Sequence, residues 1–342
     1  MTFMLNRRQF LGTALAGTAV ATFPFGADAQ TVGDIKLAYG SDGYTWSVPY
    51  VADGIDSWKK FGLNSSRSTF ASGRESLEAA ITDHADFGTT TDSPYLFAAL
   101  RGLQPMVFAN YQRYSKDMKV VMRTDRGSKS SDPASIKGKR IATHVGTSGH
   151  YVLSRYMEFA GLKKGEVTIV NMTPGDAINA VARGDVDGLS WSSRAAFMAK
   201  KAAGEDKVMI MTQDGLEKFF QSHQLLCVSK STIAKRPQIM KPAMQALLAA
   251  ESFIKTDKAW MDIVAKRTRT TVEAVADETS DFEFQLRVDE RFIEDLIVAA
   301  EWAFAEGLAK KPEKPLRQIF VETLYTQPLA ELAPDRVKVA TA

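Results

Sequence analysis

Small hydroxylated residues and glycines recur in this sequence wherever a β-like run gives way to a helical one. Five such loops stand out: Ser41-Asp42-Gly43, Ala71-Ser72-Gly73, Thr89-Thr90-Thr91-Asp92-Ser93, Gly146-Thr147-Ser148-Gly149 and Ser190-Trp191-Ser192-Ser193. Small residues let a backbone approach a ligand closely. The unpaired N–H groups of a first helical turn, aided by the helix dipole, attract an anion. For one loop alone, plain N-capping by Ser, Thr or Asp is explanation enough. Five loops on one rim would aim their donors at a common point, which is the chemistry of a polar binding cleft. Tyr44, Trp46, Trp191 and Tyr95 accompany these loops and could either line a cleft or anchor a core. His150 stands at a strand–loop–helix turn, as a cleft contact or a helix-start residue. Arg74 and Arg194 fall in first helical turns, where a cation opposes the dipole. A bound carboxylate or sulfonate would account for Arg194; solvent exposure would account equally for either, and is the preferred reading for Arg74.

Catalytic patterns are absent. The four histidines, His84, His144, His150 and His223, lack metal-ligand spacing, and no HExxH motif, Gly-x-Ser-x-Gly elbow or Walker loop occurs. The single cysteine, Cys227, lies in an apolar run, which suits a small core residue and excludes a disulfide within the chain. No residue is therefore assigned a catalytic role, and neither a metal nor a cofactor is expected.

The elements that must position these loops alternate between strand and helix from Ile35 onward, the pattern of an α/β fold with largely parallel strands. The order then repeats. Gly40-Ser41-Asp42-Gly43-Tyr44 matches Gly146-Thr147-Ser148-Gly149-His150 at an offset of 106, and Leu77, Ala80 and Asp86 match Ile178, Val181 and Asp187 at an offset of 101. A duplication predicts two lobes facing each other across a cleft, with ligands beyond the carboxyl ends of the strands. Residues 30–117 are assigned to lobe 1, residues 118–235 to lobe 2, with His223–Ser229 as its last strand, and residues 236–342 to helices returning to lobe 1. Asp117 to Met122 is the expected crossing between lobes. The chain after Pro334 is expected to be a disordered tail.

The N-terminus carries Arg7-Arg8, a short apolar run from Phe10 to about Phe23, and Ala27-Asp28-Ala29 before Gln30. That order is a signal peptide, of the twin-arginine kind, with cleavage after Ala29 and a periplasmic destination. The apolar run is shorter than the ~20 residues of a spanning helix. A net charge of +3 gives no reason to expect nucleic acid or a membrane surface as partner.

A family likeness emerges from Phe70-Ala71-Ser72-Gly73, Ala85-Asp86-Phe87-Gly88 leading to Asp92-Ser93-Pro94, Ile136-Lys137-Gly138-Lys139-Arg140-Ile141-Ala142, Gly146 to Tyr151, Gly161-Leu162 and Gly184-Asp185-Val186-Asp187. In this order they resemble the nitrate/sulfonate/taurine-type solute-binding proteins of ABC importers, a group that includes thiamine-precursor binders. The resemblance runs from about Ile35 to Asp257. It implies a two-lobed periplasmic-binding-protein fold of type II, each lobe a mixed sheet flanked by helices, with a helical C-terminal segment. It also implies lobes that close on a small ligand and dock on a membrane permease and its ATPase; with the loops and Arg194, the expected ligand of this monomer is a small organic anion, a sulfonate or carboxylate, aromatic ones included. Ligand contacts would come from Ser41, Tyr44, Trp46, Ser72, Gly73, Thr90, Thr91, Asp92, Thr147, Ser148, His150, Trp191, Ser192 and Arg194. The sequence departs from the family at Thr91, where many relatives have Gly, and at Ser192-Ser193-Arg194, where many have an aromatic-acid-proline turn. Two alternatives share the scaffold: an enzyme resembling aromatic sulfinate desulfinases or thiamine-pyrimidine synthases, and a sensory receptor. The first is weakened by the lack of a cysteine in the Ser41–Ser47 loop and of a cysteine-rich motif.

Overall fold

The computed structural model describes residues 32–40, 43–218 and 220–340. The segment expected to be an export signal, with Ser41 and Asp42, lies outside the described residues. Among those described, no helix is long and apolar enough to cross a membrane.

Strand β1 (Gly33–Tyr39) opens with alternating burial: Ile35 and Leu37 are buried while Asp34 and Lys36 are exposed. Its second half is buried on both faces, as parallel strands flanked by helices must be. The further strands are β2 (Leu63–Thr69), β3 (Phe87–Thr91), β4 (Met106–Tyr114), β5 (Met118–Arg123), β6 (Arg140–Thr143), β7 (Thr168–Asn171), β8 (Gly188–Ser192), β9 (Val208–Ile210), β10 (Ser222–Val228) and three two-residue strands, β11 (Glu283–Phe284), β12 (Val288–Asp289) and β13 (Val337–Lys338). The first sheet has the order β11-β4-β10-β3-β1-β2 and the second β7-β6-β8-β5-β9. In the first, β1 pairs in parallel with β2 and β3, and β10 runs antiparallel between β3 and β4. In the second, β6 pairs in parallel with β7 and β8, and β5 runs antiparallel between β8 and β9. The two sheets share one plan, so the repeat seen in the sequence is a repeat of topology.

The helices are α1 (Ser47–Gly54), α2 (Ser57–Lys60), α3 (Gly73–Ile81), α4 (Asp92–Leu100), α5 (Ser148–Phe159), α6 (Pro174–Arg183), α7 (Ser193–Ala203) and α8 (Lys230–Lys235). A helical C-terminal segment follows: α9 (Met240–Thr256), α10 (Trp260–Thr268), α11 (Val272–Glu278), α12 (Glu290–Ala305), α13 (Leu316–Glu322) and α14 (Gln327–Leu332). Helices α9 and α10 pack on α1, and α12 and α13 on α4, so this segment covers the first sheet.

Two expectations are corrected. The strand expected to end lobe 2, His223–Ser229, is β10, and it lies in the first sheet. It is buried along its whole length, and its antiparallel slot there mirrors the one β5 fills in the second sheet. The chain therefore crosses between sheets twice, at Ser115–Asp117 and between β9 and β10. The segment after Pro334 is not a free tail. Val337 and Lys338 pair with Val288 and Asp289, and Arg336 Nη1 reaches both oxygens of Glu251 at 2.9 and 2.7 Å. Glu251 is only 2% exposed, and a buried carboxylate requires such a partner.

Candidate functional site

The duplicated acids show how each half places its strands. Asp86 Oδ2 accepts from Lys36 N at 2.7 Å, while Asp187 Oδ2 accepts from Arg140 N at 2.8 Å. Each carboxylate locks the third strand to the start of the first. The helix starts repeat as well. Ser72 and Thr173 are the N-caps of α3 and α6, and both accept a backbone N–H in the first turn. Each hydroxyl also donates to the acid three residues on, Ser72 to Glu75 at 2.5 Å and Thr173 to Asp176 at 2.7 Å. This is a local cap closed on itself.

The helix starts after the third strands differ. Thr91 caps α4 and Ser192 caps α7, again 101 residues apart, and neither side chain makes a capping bond. Thr147, at the start of α5, is likewise without one, and its hydroxyl donates instead to His144 O at 2.5 Å. The N–H groups of Ser148 and Gly149 have no partner among the described residues. These starts converge on one cavity, lined by Thr45, Trp46, Ser72, Gly73, Thr91, Pro94, Tyr114, Asp117, Met118, Thr147, Ser148, Trp191 and Ser192. Both sheets contribute to it.

The cavity is about 40 Å³, far below the ~300 Å³ of an ordinary small-molecule site. It is narrow because the two halves are clasped. Ser148 donates to Thr91 Oγ1 at 2.6 Å, Arg74 reaches the Val145 carbonyl, and Arg194 Nε donates to Thr268 O at 2.9 Å. A larger recess of about 370 Å³ adjoins it, with Thr69, Phe70 and Ala71 on one side and Thr173, Pro174, Gly175, Ile178, Arg194 and Ala195 on the other. Trp191 is a wall of both. Two glycines make the approach possible. A Cβ on Gly73 would sit 3.2 Å from Thr90 Cα, and one on Gly149 would sit 2.5 Å from the Trp191 ring.

Of the residues singled out from the sequence, Trp46, Ser72, Gly73, Thr91, Thr147, Ser148, Trp191 and Ser192 line the inner cavity, and Arg194 lines the outer recess. Four others stand behind the walls. Asp92 is fully engaged, accepting from Ser93 N at 2.7 Å, His223 N at 2.9 Å and the Ser222 hydroxyl at 3.3 Å. It ties α4 to β10, and burial holds its carboxyl above the usual range. His150 turns away from the cavity, with Nδ1 accepting from Gly146 N at 3.3 Å and the ring edge-on to Trp302. Burial keeps it neutral by lowering its pKa. Thr90 is fully buried beneath Gly73. Tyr44 is buried beside Thr270, near Asp117, Glu278 and Arg194. Arg74, read as solvent-exposed, instead crosses the cleft to Val145.

Asp117 was legible only as part of a crossing connection. It is fully buried on the cavity wall, and burial, reinforced by the nearby Glu278, raises its carboxyl to about 7. A carboxyl on a segment that two lobes must flank is the signal that could have found it. Cys227 lies within β10, fully buried, with burial raising its thiol far above the range in which a thiolate forms. Among the described residues, no group of three or more His, Cys, Asp or Glu could hold a metal.

Comparison with known proteins gives one consistent set. A putative binding protein of Brucella abortus (strain 2308) is 25% identical over 282 residues, covering 78% of this chain and 84% of that protein. The taurine-binding periplasmic protein of Escherichia coli (strain K12) is 26% identical over 205 residues, covering 59% of this chain and 62% of that one. Among solved structures, the alkanesulfonate-binding protein SsuA from Xanthomonas axonopodis pv. citri, bound to MOPS, superposes with a TM-score of 0.69 at 18% identity, covering 87% of this chain and 99% of that one. The periplasmic nitrate-binding protein NrtA from Synechocystis PCC 6803 superposes with a TM-score of 0.71 at 12% identity, covering 90% of each chain. These structures carry the periplasmic-binding-protein fold that the repeated sheets display here. The NMT1/THI5-like family matches residues 56–258, and with that fold and that match the chain belongs to this family.

Proposed function

We propose that this protein is an extracytoplasmic receptor of an ABC uptake system, capturing a small organic anion between its two halves and presenting it to a membrane permease and ATPase. One observation carries the reading: the starts of α4, α5 and α7, none of them with a side-chain cap, converge on one cavity that both sheets enclose. Hydroxyls and first-turn N–H groups suit an acidic group, and Arg194 at the outer recess adds a cation. The relatives named for taurine and nitrate support the ligand class.

The mechanism is closure. Solute binds one half when the clasp of Ser148–Thr91, Arg74–Val145 and Arg194–Thr268 is open, and it stabilises the closed state by touching both. No bond is made or broken. Export as a monomer through the twin-arginine route, with cleavage after Ala29, completes the proposal. The test is a thermal-shift panel of sulfonates, carboxylates and nitrate against neutral and cationic solutes. A rise in Tm with an organic anion is expected, since a ligand of the folded state alone raises it. A rise only with neutral solutes or with purely cationic ones would reject the anion class. Arg194→Ala should weaken the stabilising anion, and unchanged affinity would remove Arg194 from the site.

A further inference from the structure

The crossing at Ser115–Asp117 buries a carboxyl between the two halves. Asp117 moves with the second half. Its backbone carbonyl accepts from Ser193 N at 2.7 Å, its Oδ1 accepts from the Ser193 hydroxyl, and the residue after it, Met118, pairs with Ser192. Its cover belongs to the first half. Thr45, Trp46 and Tyr114 share the inner-cavity wall with Asp117, which is fully buried there. Its Oδ2 has no hydrogen-bond partner among the described residues. Charged and titratable groups surround it from each element packed on the crossing. Lys119 on β5 pairs with Glu278, at the end of α11, at 3.2 Å. Asp281 accepts from Ser115 N and Lys116 N, each at 2.8 Å. Arg194, beside Ser193, is turned to Thr268 O, and the Tyr44 and Tyr114 phenols lie near the carboxyl. None of these gives Oδ2 a cation, and Glu278 and Asp281 add negative charge.

A carboxylate oxygen without a donor is costly once water is removed, and the neutral form avoids that cost. A crossing is also where two such halves turn on each other. Opening draws Thr45, Trp46 and Tyr114 away and lets water reach Oδ2 through the cavity. Closing removes that water and supplies no donor in return. A charged Asp117 therefore resists closure, and a protonated one does not. Burial, reinforced by Glu278, raises the carboxyl of the closed form to about 7, against 3.8 for an ordinary one. Between those values closing takes a proton from the solvent, so acid favours the closed state and the advantage is lost above about pH 7. The histidine at the cleft works the other way. Burial and the nearby Arg74 lower the pKa of His144, so its protonation in acid favours opening. The sign of the response therefore identifies the group.

We propose that Asp117 makes closure proton-coupled: the halves close on a neutral Asp117 and open when it ionises, so the protein holds its solute more firmly on the acid side of neutrality. The proposal rests on the closure of the two halves described above, not on what they close around. The test is single-molecule energy transfer between dyes on Glu78→Cys in α3 and Asn179→Cys in α6, both exposed and on opposite halves. Cys227 is buried, which keeps the labelling to those two sites. The purified protein is freed of solute and followed from pH 8 to pH 5.5. The ratio of closed to open molecules should rise about 30-fold, as a carboxyl moved from 3.8 to about 7 gives over this range. Asp117→Asn should lose that rise. Ser193→Ala, which removes the only side-chain hydrogen bond to this carboxyl among the described residues, should keep the rise and move its midpoint to higher pH. A ratio that ignores pH, molecules that open in acid, a rise that survives Asp117→Asn, or a midpoint unmoved by Ser193→Ala would each overturn the proposal. No solute enters the measurement, so its failure is separate from that of the anion class.

Discussion

Ser72 and Thr173, 101 residues apart, close the same cap at the second helix of each half, whereas Thr91 and Ser192, also 101 apart, leave theirs open. All four are hydroxyl residues at helix starts, and their types give no hint of the difference. What separates them is the residue three positions on. Glu75 and Asp176 complete the first pair, while Pro94 and Ala195 stand after the second. A cap that finishes itself serves the fold. A cap left without a side-chain bond in both halves, at the same place, puts a hydroxyl on the wall of the cavity between them.

The two halves are equal in topology and unequal in charge, and the largest expected effect comes from that inequality. Asp117 has no counterpart of its kind in the second half. Its folded pKa, about 7, lies above the ordinary carboxyl value of 3.8. From about pH 4 to pH 7 the folded state therefore keeps a proton that the unfolded state has lost, so stability falls with rising pH across that window and levels off above it. The loss amounts to roughly 4 kcal/mol. Urea unfolding of Asp117→Asn without solute should show that slope removed and the protein more stable than wild type at pH 8. A variant that is less stable at pH 8 would make Asp117 a structural residue.

The paired acids come next. Asp86 is enclosed with Arg236 as partner, while Asp187 is more exposed and 3.6 Å from Arg126. Asp86→Ala should cost about 3 kcal/mol and Asp187→Ala about 1 kcal/mol in the same urea experiment. Equal losses would mean that the shared strand lock, not the ion pair, sets the energy. Gly149→Ala places a Cβ 2.7 Å from the Ser190 carbonyl as well as against Trp191. Overpacking of this kind should cost about 1–3 kcal/mol and displace Trp191, read as a lower Tm and weaker solute binding. The smallest effects sharpen the comparison of caps. Ser72→Ala and Thr173→Ala should each lose about 1 kcal/mol. Ser192→Ala should stay within about 0.5 kcal/mol in the absence of solute, yet reduce affinity. A Ser192→Ala variant as unstable as Ser72→Ala would mean its cap is closed in solution.

Local chemistry made much of this molecule legible. Apolar patterning, Gly and capping residues marked strands and helices, and repeats at offsets of 106 and 101 revealed the duplicated topology. Nine of the cleft and recess residues could be named because hydroxyl and glycine loops follow strands wherever a ligand must approach a backbone. The misplaced residues failed for a common reason. Asp92 and His150 stand one and three residues beyond the caps Thr91 and Thr147, and the rotation of each successive residue about the helix axis turns their side chains from the cleft toward β10 and α12.

Sequence by itself determined the α/β alternation, the repeat, the placing of hydroxyl and glycine loops at helix starts and the buried state of Cys227, because each depends on neighbours within a few residues. Tertiary structure alone decided that β10 belongs to the first sheet, that Arg74 and Arg194 act as clasps, that Arg336 neutralises Glu251, and that Asp117 keeps a bare oxygen inside the cleft. Each of these joins residues that the chain separates by long distances, and burial, which sets the cost of a charge, exists only once both halves have closed around it.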